Sequence, residues 1–286
     1  MLDGVIVFNK PQDFTSHDVI AKLRGILKMR KLGHAGTLDP MATGVLVVLC
    51  GAATKASDYL LAGEKRYRAG IRLGCVSDTL DIWGDVRPTG CELPGETVLR
   101  KVIDSFRGGY EQTPPMYSAI QKDGVRLYDL ARQGIEVERE SRWIDITDIG
   151  LLSFDGQRGV FDVTCSKGTY IRTLCHDLGQ ALGCGGCMAA LRRTEASGFR
   201  IDEAVTIEDV QREGEALLRP LDSQFRAYPA FTIPNAALEK KCLCGNPLRV
   251  RLADGIYRVY GQKGDFLALS EARDGVLTSK RNFFSV

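Results

Sequence analysis

The sequence predicts two domains: a larger one in which strands and helices are mixed, and a small β-rich one at the end. Three observations predict this. A chain of 286 residues is long for one domain. As far as residue 230, strand-like apolar runs are interleaved with amphipathic helical stretches. Near Tyr228–Pro234 the character changes. Residues 235–286 then show short alternating runs, Leu248–Leu252, Ile256–Val259, Phe266–Leu269 and Val276–Leu277, separated by Gly or Asp-Gly turns. The expected domains are therefore 1–230 and 231–286.

Each element has its own signal. Gly4–Phe8 is an apolar strand closed by Asn9-Lys10-Pro11. Thr15-Ser16-His17-Asp18 has the capping-box pattern, with Thr15 as N-cap and Asp18 reaching back. The helix it starts puts Val19, Ile20, Leu23, Ile26 and Leu27 on one face. Val45–Leu49 reads as a buried strand, and Thr54–Leu61 as a short helix. Lys65–Leu73 alternates: Tyr67, Ala69, Ile71 and Leu73 point one way, Arg66, Arg68 and Arg72 the other. By pattern alone Tyr67 reads as a core residue. Residues 74–95 read as a long loop, which in a compact domain is usually functional or mobile. Glu96–Phe106 is a helix, Thr113–Ser118 is extended, and Val125–Gln133 is a short helix ended by Gly134. Arg142–Phe154 and Val160–Cys165 are strands joined at Asp155-Gly156. Ser166–Thr169 turns into a helix over Tyr170–Leu182. Leu191–Thr194 opens a further strand and Ile207–Leu218 forms a further helix.

Composition narrows the function classes. The apolar share of 44% is ordinary for a globular protein. The longest apolar run, around Val45–Cys50, is far below the ~18 residues that span a bilayer, so no membrane association is expected. No secretory signal is recognisable at the N-terminus, and nine scattered cysteines do not make a disulfide framework. The expected compartment is the cytoplasm. Residues 1–74 carry 11 Lys/Arg against 6 Asp/Glu, and residues 238–286 carry 9 against 5, while the middle is acidic. Basic ends suit a polyanion, although ordinary solvated faces would look the same.

Two apparent sites dissolve on inspection. Cys184-Gly185-Gly186-Cys187 has CxxC spacing, but Cys242-Leu243-Cys244 does not complete a zinc set, and there are only three histidines. No metal is expected. The Gly33–Gly44 loop lacks the ending of a phosphate-binding P-loop.

That loop nevertheless organises the chain. Gly33-His34-Ala35-Gly36-Thr37-Leu38-Asp39-Pro40-Met41-Ala42-Thr43-Gly44 cannot be a helix interior, because Pro40 lacks an N–H and biases Asp39 away from the α region. Locally, Asp39 is either a catalytic carboxylate or an Asx-turn residue closing its own loop. Arg172 lies in the first turn of a helix, against the dipole, which hints at an ion pair.

Several stretches now combine. Lys10-Pro11-Gln12-Asp13-Phe14-Thr15-Ser16, the Gly33–Gly44 loop, Lys65-Arg66-Tyr67, Gln112-Thr113-Pro114-Pro115-Met116-Tyr117-Ser118-Ala119, Gly168-Thr169-Tyr170-Ile171-Arg172 and Leu191-Arg192-Arg193-Thr194 occur in that order. Over about residues 4–225 the chain resembles the bacterial TruB family of tRNA pseudouridine synthases. Its end resembles the PUA-like RNA-binding domains that often follow that catalytic domain. The resemblance implies an α+β catalytic domain with a mixed, largely antiparallel central sheet, and a small β-rich PUA-like C-terminal domain. It implies conversion of uridine 55 in the T-loop of tRNA to pseudouridine, with no cofactor and no metal. The implied partner is the T-arm of tRNA, and a monomer is expected. Carried over by motif, Asp39 is the catalytic aspartate, Tyr67 stacks on the target base and Arg172 pairs with Asp39. His34 helps to hold the flipped nucleotide or the loop, Tyr170 and Leu191 line the pocket, and Lys10 lies close by. Asp13 stands where the family usually has Gly. Asp is one of the few residues that tolerates positive φ, so a local adjustment and no loss of activity is expected.

The chemistry suits these residue types. The enzyme must flip the uridine out of its stack, and an aromatic face recovers about 1–3 kcal/mol of that cost. A carboxylate can attack C1′, remove the C2′ proton or add to C6, and an adjacent guanidinium favours its ionised form. The Tyr67 hydroxyl is a plausible acceptor for the proton that leaves C5. The competing class is a non-catalytic RNA-binding module or tRNA chaperone of the same fold and charge pattern; a synthase acting on another RNA is a second alternative.

Overall fold

The computed structural model describes residues 3–284. In chain order the first half runs β1 (Gly4–Lys10), α1 (Ser16–Leu27), β2 (Leu32–His34), β3 (Thr43–Cys50), α2 (Ser57–Ala62), β4 (Lys65–Leu73), β5 (Cys75–Ser77), β6 (Val86–Pro88), α3 (Glu96–Ser105), β7 (Tyr110–Gln112), β8 (Gln121–Lys122), β9 (Val125–Arg126) and α4 (Leu127–Arg132). It continues with β10 (Arg142–Ile144), β11 (Ile146–Phe154), β12 (Arg158–Cys165), α5 (Ile171–Ala181), β13 (Gly186–Ala196), β14 (Phe199–Arg200), α6 (Ile207–Glu213), β15 (Ala230–Thr232), α7 (Ala236–Leu243), β16 (Leu248–Arg249), β17 (Gly255–Tyr260), β18 (Phe266–Arg273) and β19 (Val276–Asn282).

The central sheet has the order β1-β3-β13-β4-β12-β11, with β2 added on β3 and β14 on β13. It is mixed and largely antiparallel: only β3 and β13 run parallel, and they pair through just Arg192↔Thr43 and Arg193↔Gly44. The Gly33–Gly44 loop enters β3 at this short parallel contact.

Period-two alternation sends the two faces of β1 and β3 into different cores. Ile6, Phe8, Leu46 and Val48 pack on Val19, Ile20, Leu23 and Leu27 of α1. Each such side chain contributes about 1.5–3 kcal/mol by leaving water. Val5, Val7, Val45, Val47 and Leu49 face the other way, onto Leu221, Phe225, Leu269 and Phe283. The third core lies between β4, β12 and β11 on one side and α3 and α5 on the other. The Thr15 hydroxyl accepts from the Asp18 N–H at 3.0 Å while Asp18 accepts from the Thr15 N–H at 2.8 Å, so the capping box starts α1 as expected. A five-stranded sheet, β15-β17-β18-β19-β16, makes the C-terminal region β-rich.

Several elements differ from expectation. Residues 74–95 are not structureless: β5 and β6 pair there around a tight turn. Arg142–Phe154 is two strands, because the backbone breaks at Asp145, whose N–H turns to the Ser166 hydroxyl at 3.0 Å. In Val125–Gln133 the first two residues are strand and the helix occupies Leu127–Arg132. The Leu191 strand is longer than four residues and central, running from Gly186 to Ala196. Two register shifts, between Met188 and Ala190 and between Arg193 and Glu195, break the alternation that would have revealed it. The helix after Thr206 stops at Glu213, where Gly214 takes positive φ. The C-terminal region also contains α7, capped by the Asn235 side chain accepting from Leu238 N–H at 2.9 Å. Among the described residues, no helix is long and apolar enough to cross a membrane.

Candidate active site

Asp39 is presented by a loop held from three sides. Beneath it, Lys10 is fully buried and its ammonium donates to the carbonyls of Pro11 (2.9 Å), Phe14 (2.6 Å) and Pro40 (3.2 Å). Burial lowers the Lys10 pKa to about 8, with the Asp39 charge acting the other way. From the second side, Ser16 Oγ accepts the Leu38 N–H at 2.9 Å and donates to the Leu38 carbonyl at 3.3 Å. From the third, the buried Arg193 guanidinium donates to the carbonyls of Val45 (2.7 Å), Gly36 (3.0 Å) and Thr37 (3.3 Å). Gly44 has φ 102°, and a Cβ there would run into the Arg193 carbonyl, so only glycine fits. Asp13 has φ 69° and donates its N–H to the Pro40 carbonyl at 3.0 Å, which ties the Lys10–Ser16 turn to the same loop.

Arg172 reaches the loop from the first turn of α5. Its Nε donates to Asp39 Oδ2 at 2.9 Å and its Nη2 approaches Asp39 Oδ1 at 3.4 Å. The same guanidinium donates to the carbonyls of Tyr117 (2.7 Å) and Thr79 (3.2 Å) and lies 3.8 Å from Asp81 Oδ2. The Arg172 side chain is 7% exposed and that of Asp39 37%, so the cation is enclosed while its carboxylate partner remains open to a substrate. Five acceptors around one fork explain why a cation stands at a helix start. Gln112 fixes that start: its Oε1 accepts the Tyr170 N–H at 2.8 Å and its Nε2 donates to the Tyr170 carbonyl at 3.2 Å.

Tyr67 and Leu191 lie in one apolar cluster with Leu38, Met41 and Ile171, beside the loop. Burial pushes the Tyr67 phenol up, so it stays protonated. Tyr170 is half-buried with the Arg142 guanidinium 5.2 Å from its ring centre. His34 stacks edge-on against His17 at 5.5 Å. Its pKa is lowered to about 4, chiefly by burial, so the imidazole is neutral, and its Nδ1 has no hydrogen-bond partner among the described residues.

The structure thus brings Asp39 and Arg172 into contact, puts Tyr67 and Leu191 in the apolar cluster that also holds Leu38 and Met41, leaves Tyr170 at the start of α5 against Arg142, and puts Lys10 under the loop with its donors engaged by carbonyls. Two residues escaped the sequence reading. Asp81 sits in a stretch without periodicity. Arg193 belongs to a quoted motif, but its burial is hidden by the β-bulges of β13. Among the described residues no group of His, Cys, Asp and Glu could hold a metal. Cys184 and Cys187 are buried, and burial pushes the Cys187 thiol up to about 12, which makes it unreactive.

Comparison with known proteins agrees with this geometry. Residues 24–171 match the model of the TruB family pseudouridylate synthase N-terminal domain, and residues 172–225 that of the tRNA pseudouridylate synthase B C-terminal domain. The chain is 44% identical to the tRNA pseudouridine synthase B of Alkaliphilus oremlandii, over 92% of this chain and 88% of that protein. It is also 44% identical to the protein of the same name from Chromobacterium violaceum, over 96% and 93% of the two chains. Among solved structures, a Cbf5-Nop10-Gar1 complex contains a chain of the same fold with a TM-score of 0.74, at 26% identity, over 98% of this chain and 85% of that one.

Proposed function

The chain belongs to the TruB family of pseudouridylate synthases, and on that premise we propose that it converts uridine 55 in the T-loop of tRNA to pseudouridine. The reaction breaks the N1–C1′ bond, turns the base and joins C5 to C1′; the C5 proton leaves last. The observation that carries the reading is the Asp39–Arg172 pair: an accessible carboxylate gripped by an enclosed guanidinium on an otherwise rigid loop.

Asp39 is the catalytic carboxylate. Attack on C1′, removal of the C2′ proton and addition to C6 all need it ionised, and Arg172 favours that form. Asp81 holds the far side of Arg172 and so positions it. Tyr67 stacks on the flipped base. Because its phenol stays protonated, it takes the C5 proton only as a relay, releasing its own to water. Leu191 and Tyr170 wall the pocket, and His34, whose buried Nδ1 has no partner among the described residues, helps to hold the flipped nucleotide or the loop. Lys10 holds the loop instead of the substrate, because its three donors already serve carbonyls. Residues 1–230 form the catalytic domain and 231–286 a PUA-like RNA-binding domain. The enzyme is a monomer that engages the T-arm in the cytoplasm without cofactor or metal.

Tritium release from C5-labelled tRNA transcripts tests the position. Release is expected from a transcript with uridine 55 and not from one carrying cytidine there. Equal release from both means that another uridine is the target.

A further inference from the structure

We propose that the groove beside the active site holds a nucleotide of the substrate RNA flanking the flipped uridine, with its base stacked on Trp83. The proposal rests on the pseudouridine synthase reading, since it places an RNA strand in the cleft.

Trp83 and Ile82 are adjacent and 50% and 38% exposed. They form one lip of a groove of about 360 Å³. Met41 of the Asp39 loop and Leu191 of β13 also line it, so it borders that loop. Its floor is the sheet face where Gly70 and Ala190 are register partners, and these two small residues leave the space open.

The charge around the groove fits a polyanion. Arg192 lies directly across from Arg68, and Arg72 directly across from Arg158. Like charges in register destabilise a sheet. Asp162 offsets Arg68 at 2.8 Å, but Arg72, Arg158 and Arg192 form no salt bridge among the described residues. An apolar, aromatic-lipped groove with Arg68 and the unpaired Arg192 in its lining matches a single RNA strand, which offers flat bases and phosphates together.

The turn that carries the indole is braced. Asp81 Oδ1 accepts the backbone N–H of Trp83 at 3.0 Å and the Thr79 hydroxyl at 2.8 Å, and Asp78 Oδ1 accepts the backbone N–H groups of Thr79 (2.9 Å) and Asp85 (2.8 Å). A Cβ on Gly84 would overlap the side chains of Asp78 and Thr79, so the turn closes tightly behind the indole. The Ile82 N–H donates to the Met188 carbonyl at 2.9 Å, which pins the turn to β13. A braced backbone turn loses little freedom on binding. Asp81 also lies 3.8 Å from Arg172, so a base seated on Trp83 bears on the turn that supports the catalytic ion pair.

The chain has two tryptophans, Trp83 and Trp143, so Trp143→Phe leaves Trp83 as the only indole. Full-length protein carrying Trp143→Phe and Asp39→Asn is titrated with a T-arm stem-loop RNA, and fluorescence is read. Saturable quenching of Trp83 is expected. In tritium-release assays with otherwise native protein, Trp83→Ala should raise KM by about 5- to 150-fold, as stacking energies imply. Trp83→Phe should restore most of the loss, and Trp83→Leu should not. Unchanged fluorescence at saturation, a KM for Trp83→Ala within about twofold of native, or equal rescue by Leu and Phe overturns the proposal while native turnover keeps the synthase reading intact. Absence of tritium release by the native protein overturns both.

Discussion

A guanidinium shared by Asp39, Asp81 and the carbonyls of Tyr117 and Thr79 has no substitute with a single point charge. Arg172→Lys should lower kcat by about 100-fold or more, the size of effect seen when one preorganised electrostatic contact is lost. Single-turnover kinetics with bound RNA measure this, and an unchanged rate would remove Arg172 from the mechanism. Lys10 makes a pH prediction. Its pKa in the folded chain, about 8, is below the unfolded value, so between about 8 and 10.5 the unfolded chain binds more protons and stability rises with pH. An alkaline loss of activity centred near pH 8 is therefore a loss of the ammonium that holds the Pro40 carbonyl, not unfolding. Lys10→Arg should move that limb upward, and a limb unchanged in Lys10→Arg would assign it elsewhere. Asp13 adopts the positive φ expected of it. Asp13→Gly should leave melting temperature and kcat nearly unchanged, since relief of strain and gain of unfolded-state entropy offset each other to within about 1 kcal/mol. At this scale the Asp39–Arg172 contact was legible through the family resemblance; local pattern alone left Asp39 open between a catalytic carboxylate and an Asx turn, and marked Arg172 only as a cation set against a dipole. Asp81 was not, because a turn of Asp, Thr and Gly looks alike whether it supports a site or merely reverses the chain.

Among the elements, β13 matters most. It pairs with β4 along nearly its full length, touches β3 at two positions, and carries Leu191, Arg192 and Arg193 to the point where the Asp39 loop enters β3. Its sequence was legible only as a four-residue strand, since bulges rotate successive side chains out of period. The clean alternation of β4, in contrast, gave both its bounds and its two faces. The Gly44 contact with Arg193 joins β3 to β13. Gly44→Ala should cost about 2–4 kcal/mol through backbone strain and displacement of the Arg193 carbonyl, read by denaturant unfolding. A cost below about 0.5 kcal/mol would mean that the two strands do not depend on this approach. Helix α7 was missed because its eight residues, mostly Ala, Leu and Lys, lack a wide apolar stripe.

In the whole molecule, the C-terminal sheet is not a loosely tethered module. Leu269 and Phe283 share a core with Phe225 and the strands β1 and β3. The Lys55 ammonium donates to the Phe284 carbonyl at 2.8 Å, and Arg281 pairs with Asp58 at 2.6 Å. Deleting residues 231–286 would strip that core, so charge reversal is the sharper test of RNA binding there. Lys240→Glu with Lys241→Glu, both exposed on α7, should weaken affinity for tRNA and flatten its salt dependence by about two phosphate contacts, with kcat at saturation unchanged. An unchanged salt slope would take α7 out of the interface. The whole account turns on Asp39, and one comparison reaches it most directly: tritium release from C5-labelled uridine in a T-arm stem-loop, native protein against Asp39→Asn. Release by the native protein, abolished in the variant while the RNA still binds, is the predicted result. Release by both would mean that the chemistry belongs to another residue, and binding without release by either would contradict the synthase assignment for this RNA.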